Sequence, residues 1–331
     1  MTGGPPAPEV VTVGETMVVF SPDGPVPLDR AERVAVHVGG AESNVAMYLA
    51  ALGHRVAWAS RVGDDPFGRM VLRHVADAGV DVTGVTVDPD APTGVYAKDP
   101  TPDGTRVHYY RAGSAASRLD PTLLDHPGVA GARLLHLSGI TPVLSASCRA
   151  LVEAALVARA LPGATVSFDV NYRPRLWPVE QAAPVLRDLA DHADVVFVGL
   201  DEAWTLWRTP DPAAVRRLLP GPSVVVVKDG AVGATALARE GRVSFVPALR
   251  VPVVEPVGAG DAFAAGYLSA LRRDLDPVTT LRWGHLVAAH ALRVPGDQAP
   301  LTARAHLDDL AGVPADRWPT VRLPEPRHER T

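Results

Sequence analysis

The stretch Val253-Val-Glu-Pro-Val-Gly-Ala-Gly-Asp-Ala-Phe-Ala-Ala-Gly-Tyr-Leu-Ser-Ala-Leu271 reads as a β-rich run, a Gly-Ala-Gly turn and a helix of small residues. Gly258 and Gly260 remove the side chains that would keep a ligand away from the backbone. Free N–H groups at a helix start face an anion, and the helix dipole favours negative charge there. Asp261, in the first turn, therefore stands beside a site suited to phosphate and could take a proton from an attacking hydroxyl. Phe263, Tyr267 and Leu271 share one face, while Ala262, Ala265, Gly266 and Ser269 allow tight packing. Aspartate also starts helices with no catalytic part, so these residues alone leave both readings open.

Outward from this stretch, apolar β-branched runs alternate with longer amphipathic segments. Strands are expected at Val10–Val13, Val56–Val62, Leu134–Leu137, Thr165–Asp169, Val195–Val198 and Val224–Val227. Helices are expected at Ala41–Leu52, Phe67–Ala78, Ser145–Arg159, Pro184–His192 and Pro212–Leu219. Near-continuous valine runs imply strands covered on both faces. The alternation points to an α/β fold with a doubly wound, mainly parallel sheet flanked by helices. Two regions, Met17–Val38 and Pro92–Ala112, break the alternation. In the second, Gly94–Lys98 and Val107–Tyr110 flank Pro-Thr-Pro-Asp-Gly and read as a β-hairpin.

Composition removes several function classes. A net charge of −5 offers no basic stripe for nucleic acid. No apolar stretch approaches the roughly 18–20 residues that span a bilayer, and the N-terminus has no signal-peptide pattern. The single cysteine, Cys148, excludes an internal disulfide and suits a reducing, cytoplasmic setting. Histidines are scattered with no pair at metal-ligand spacing. A nicotinamide-binding Gly-x-Gly-x-x-Gly early in the chain is missing, as is a Walker A Gly-Lys-Ser/Thr loop.

Gly258-Ala-Gly-Asp261-Ala-Phe resembles the C-terminal signature of the ribokinase-like (PfkB) carbohydrate kinases. Gly39-Gly-Ala-Glu-Ser-Asn44 and Arg61-Val-Gly-Asp-Asp-Pro-Phe-Gly68 resemble the N-terminal one, and the likeness runs from about residue 9 to 312. It implies a kinase domain over 9–312 whose lid, a small β-sheet, comes from about 17–38 and 92–112, with terminal extensions 1–8 and 313–331. It also implies a catalytic Asp261, with the backbone of Gly258, Ala259 and Gly260 as anion hole, and sugar contacts at Gly39, Gly40 and Asn44. Tyr96, Tyr109-Tyr-Arg111 and Leu135-His-Leu-Ser-Gly-Ile140 are similar to 2-keto-3-deoxygluconate kinases in particular. That likeness implies sugar-acid contacts at Gly40, Tyr96, Tyr109, Arg111, Ile140 and Arg173, with Asp297 also touching substrate. By strand alternation one of Tyr109 and Tyr110 faces away, and Tyr109 is taken as inward.

Phe168-Asp-Val-Asn-Tyr-Arg173 follows a strand's carboxyl end, where open α/β sheets bind ligands. A carboxylate-bearing substrate needs cations, and Arg111 and Arg173 supply guanidinium groups. Asp169, Asn171 and Arg173 would then point into a cleft, with an ordinary strand-end role nearly as fitting for Asp169, while Gly63 and Asp64 read as turn residues. Val226–Ala234 reads as strand, turn, strand, and the resemblance implies an ATP site at Lys228, Gly230, Gly233, Gly258 and Gly260. Glu202 is implied to arrange Mg²⁺ through water, although Gly199 stands where relatives usually carry Asn. Glu255 stands where many relatives use Asp for a monovalent cation, so potassium activation is not implied. The expected activity is ATP-dependent phosphorylation of a primary hydroxyl, with 2-keto-3-deoxygluconate as first substrate and fructose or another ketose as alternatives. A non-catalytic sugar-binding protein is the alternative of another class. Lid strands pair across subunits in such relatives, so a homodimer or larger assembly is expected.

Overall fold

The computed structural model describes residues 8–102 and 104–324. Residues 1–7, Asp103 and 325–331 lie outside them. Among the described residues thirteen strands form: β1 (Val10–Val13), β2 (Met17–Pro22), β3 (Val34–Gly39), β4 (Val56–Gly63), β5 (Val85–Asp88), β6 (Val95–Thr101), β7 (Gly104–Tyr110), β8 (Leu134–Ser138), β9 (Thr165–Asp169), β10 (Val195–Gly199), β11 (Val224–Asp229), β12 (Gly233–Ala238) and β13 (Val243–Pro247). Nine make one sheet in the order β13-β12-β11-β10-β9-β8-β1-β4-β5. It is parallel from β5 to β11, and only β12 is reversed, pairing antiparallel with β11 on one side and β13 on the other.

Burial on both sides explains the valine runs. Val10 and Val226 belong to one core cluster, whereas Val11, Val225 and Val227 belong to the other. The first core is closed by helices Ala41–Ala51, Pro66–Asp77, Ala259–Arg272 and Pro277–Ala291. Ala146–Leu156, Val179–Asp191, Leu200–Trp207 and Pro212–Leu218 cover the opposite face. Side-chain caps start many of these helices, as where Asp65 accepts from Gly68 N–H (2.7 Å) and Asp211 from Ala214 N–H (2.7 Å).

Three expectations need correction. The Val253 run forms no strand. Pro252 and Pro256 lack the N–H a ladder needs, and Val253 and Val254 are exposed, with Val254 N–H donating to Leu292 O instead (2.7 Å). The helix expected from Pro184 begins at Val179 and carries Pro184 inside it. Burial of Ala182, Leu186, Leu189 and Ala190 outweighs the lost backbone bond. The helix expected to reach Arg159 ends at Leu156, and Arg159 turns the chain at φ 53°.

The remaining strands form a second sheet in the order β3-β2-β6-β7, built from the two regions that broke the alternation. Tyr96 on β6 opposes Tyr109 on β7, with ring centroids 5.7 Å apart, while Tyr110 is 67% exposed. Met17, Val19 and Tyr96 make the inner apolar face of this lid, with Val107 and Tyr109 packed on them. Beyond residue 312, Trp318 enters the first core and its indole N–H donates to Pro247 O (2.9 Å). Among the described residues no helix is long and apolar enough to cross a membrane.

Candidate functional site

Two cavities meet at the carboxyl ends of the parallel strands, where loops leaving the sheet leave space. The first, about 720 Å³, lies under the lid and is lined by Gly39, Gly40, Asn44, Tyr96, Tyr109, Arg111, Ile140, Arg173, Glu202, Gly258, Asp261 and Asp297. A second, about 710 Å³, is lined by Gly230, Gly233, Ala259, Phe263 and apolar residues of 248–253 and 288–292. Asp201, Lys228, Pro256 and Gly260 line both. The thirteen implied substrate and catalytic residues thus converge, except that Ala259 faces the second cavity. Of the implied ATP residues, Gly258 lines the first cavity and the other four line the second.

The junction is the start of helix Ala259–Arg272. Gly258 caps it at φ 80°, a left-handed conformation, and a Cβ there would come within 2.9 Å of Asp297 O. Ala262 N–H makes the helical bond to Gly258 O (2.9 Å), so the amides before it are the orphan donors of a helix start. Ala259 N–H leans on Pro256 O at 3.4 Å, which leaves Gly258 and Gly260 as the better donors for an anion. Lys228 extends over the same turn, its ammonium 3.5 Å from where a Gly260 Cβ would stand.

Asp261 is half-buried beside these donors. Burial pushes its pKa up to about 7, with nearby Asp169 and Asp297 adding to the rise; Asn44 and Arg173 oppose it. Asn44 Nδ2 donates to Asp261 Oδ2 (2.9 Å), and Asn44 Oδ1 is buried without a hydrogen-bond partner among the described residues. That orphan acceptor suits a ligand hydroxyl. Tyr48 holds the facing loop by donating to Asp297 O (3.2 Å) and accepting from Ala299 N–H (2.9 Å). Burial raises the Asp297 pKa, while Lys98 and Asn44 lower it. Gly40 must stay small: a Cβ there would meet Thr16 Oγ1 at 2.6 Å and Glu15 O at 2.7 Å.

Glu202 caps its own helix. It accepts from Gly199 N–H (2.8 Å) and Tyr172 N–H (2.9 Å), and burial next to Asp169 raises its pKa. Both oxygens are already ordered by backbone donors, so this carboxylate fits a magnesium ion held through water rather than directly. A Cβ at Gly199 would stand 2.5 Å from Asp201 Oδ1, the end of an exposed side chain. Asp201 lines both cavities and brings a carboxylate to their junction.

Charged lining residues that the sequence reading did not single out include Glu15, Lys98, Arg175 and Asp201, whereas Asp169 was already read as facing the cleft. Asp169 is buried and bonded to Lys228 Nζ (2.8 Å), so it does more than end a strand. Glu15 follows the carboxyl end of the parallel strand β1, the signal that could have found it, as it did for Asp169 at the end of β9. Lys98 reaches Glu255 at 3.4 Å, linking the lid to the loop before the helix. Gly63 is structural, because a Cβ there would stand 2.7 Å from Ala91 O.

The model of the "pfkB family carbohydrate kinase" matches residues 7–304. A 2-dehydro-3-deoxygluconokinase of Bacillus subtilis (strain 168) is 37% identical over 306 residues, covering 90% of this chain and 94% of the relative. A solved PfkB protein of Polaromonas sp. JS666 is 37% identical, covers 91% of this chain and 99% of its own, and superposes with TM-score 0.81. Fructokinase with bound ATP from Xylella fastidiosa is 28% identical, with TM-score 0.79 over 90% of this chain and 97% of that one.

Proposed function

Because the chain belongs to the pfkB family of carbohydrate kinases, we propose that it transfers the γ-phosphoryl group of ATP to the primary hydroxyl of 2-keto-3-deoxygluconate, giving the 6-phosphate. One observation carries the reading: a single aspartate, Asp261, stands at an anion-binding helix start where two cavities meet. The apolar second cavity suits an adenine ring, and a relative solved with bound ATP supports nucleotide binding by this fold. The first cavity, with its cations and the orphan Asn44 Oδ1, suits a polyhydroxy acid.

Asp261 in its charged form accepts the hydroxyl proton as the new O–P bond forms and the bond to the leaving ADP oxygen breaks. Its pKa near 7 makes it a stronger base than an ordinary carboxylate while leaving a large ionised fraction at neutral pH. Gly258 and Gly260 N–H groups, with the Lys228 ammonium above them, stabilise charge on the transferred group. Arg173, which donates to its neighbour's carbonyl, Tyr172 O (3.2 Å), offers its remaining N–H groups to the substrate carboxylate. Magnesium bound with the nucleotide would neutralise phosphate charge, held through water by Asp201 and Glu202. Lid closure by Tyr96 and Tyr109 excludes water, the competing acceptor.

The test is ADP formation with a panel of 2-keto-3-deoxygluconate, fructose and ribose at fixed ATP. The sugar acid is expected to give the highest kcat/KM by at least tenfold. A preference for fructose would assign the chain to a ketose instead, and no turnover with any sugar would leave a binding protein.

A further inference from the structure

Arg111 is not a free cation. Its Nε donates to Glu15 Oε2 (2.7 Å), and its Nη2 pairs with the same oxygen. Glu15 Oε1 accepts from the Ser114 hydroxyl (2.6 Å), and the Glu15 side chain is 1% exposed. Tyr109 lies under the guanidinium, 5.5 Å from its carbon. Glu15 itself follows β1 in the body, whereas Arg111 and Ser114 follow lid strand β7. Gly94 leaves room for the pair, since a Cβ there would stand 2.6 Å from Glu15 Oε1. Arg173, by contrast, bonds a backbone carbonyl and keeps its net charge.

We propose that Glu15 is a specificity-determining residue of the sugar site: it cancels the charge of Arg111 while fixing the guanidinium plane, so that Arg111 reads an acid by hydrogen-bond direction rather than by field. The proposal rests on the sugar-acid reading above. A close ion pair seen from several ångströms away is a dipole, whose attraction for an anion fades faster than that of a lone charge. Net attraction then comes from Arg173 and from Arg175, which lines the same cavity and bonds a backbone carbonyl, and the phosphorylated product, with more negative charge than the substrate, is not trapped. Glu15 also supplies the partner without which a buried guanidinium would be costly.

Glu15→Gln separates charge from geometry, because the amide oxygen still accepts from Arg111 Nε and Ser114 Oγ can turn to accept from the amide. Calorimetry on this variant should show 2-keto-3-deoxygluconate and its 6-phosphate binding about tenfold or more tightly, with the gain shrinking as salt is raised. Fructose binding should stay within about twofold. Arg111→Gln, which leaves Glu15 uncompensated, should lose at least about 100-fold for the acid and much less for fructose. In Glu15→Gln/Arg111→Gln much of that acid loss should return. Equal weakening of acid and fructose in the single variants would mean a purely structural pair and overturn the proposal, as would unchanged acid affinity in Glu15→Gln. Both readouts are binding constants of anion and neutral sugar. They therefore stand apart from which sugar the wild type phosphorylates, and a fructose-preferring enzyme could still pass or fail them.

Discussion

Replacing Asn44 with alanine should move the pH at which the enzyme gains activity. Asn44 Nδ2 donates to Asp261 Oδ2 at 2.9 Å, a bond to the charged form of a carboxyl whose pKa is about 7. With the base at that value, about a tenth is ionised at pH 6 and about nine tenths at pH 8, so wild-type kcat/KM should rise about tenfold between them. A hydrogen bond to a charged group contributes roughly 1.5–3 kcal/mol, and every 1.4 kcal/mol is a factor of ten in the proton equilibrium. Loss of the bond therefore lowers the ionised fraction at pH 7 by about 6- to 70-fold. At pH 9 the variant should come back to within about twofold in this respect. Asn44 also lines the sugar cavity, and a lost sugar contact would lower kcat/KM by the same factor at every pH. The assay is ADP release from pH 5.5 to 9.5 at subsaturating sugar. A uniform drop with an unmoved acid limb would refute the claim that Asn44 tunes Asp261.

Three further outcomes are expected. Gly40→Ala should raise sugar KM at least tenfold and lower Tm, because the added carbon meets Glu15 O at 2.7 Å and Thr16 Cα at 2.8 Å, and such overpacking costs about 1–3 kcal/mol. Lys98→Met should raise sugar KM about fivefold and increase ADP formed without sugar, since the partly buried Lys98–Glu255 pair (3.4 Å) joins lid to anion-hole loop; comparing ADP with sugar phosphate checks this. Asp261→Asn should be more thermostable than wild type at pH 8 but not at pH 4. The folded pKa of this acid is raised, so the unfolded state releases its proton first, and the penalty grows as pH rises from 3.8 to about 7. Thermal melts at the two pH values read the difference.

Most of the main sheet was legible because its strands are buried on both faces, and unbroken valine runs such as Val224–Val227 have little other explanation. The lid was legible by default, as the two regions without helical period. Where residue preference met a local constraint, the sequence misled. Val253-Val254 has strand-forming residues but sits between prolines, and Pro184 looks like a helix start although the buried face runs through it. The site residues quoted from motifs converge on the two cavities, because turns and strand ends place them by local geometry. Pairing was not legible. That Arg111 is spent on Glu15, 96 residues away, and Lys228 on Asp169, 59 away, depends on the packing of body against lid and of strand against strand.

The most direct test is single-turnover phosphoryl transfer by Asp261→Asn, with sugar and nucleotide binding measured on the same preparation. Transfer should fall by about 10²- to 10⁴-fold, the span for losing a general base, while both ligands still bind. Near-normal transfer at full occupancy would contradict the assignment of Asp261 as the group that takes the hydroxyl proton.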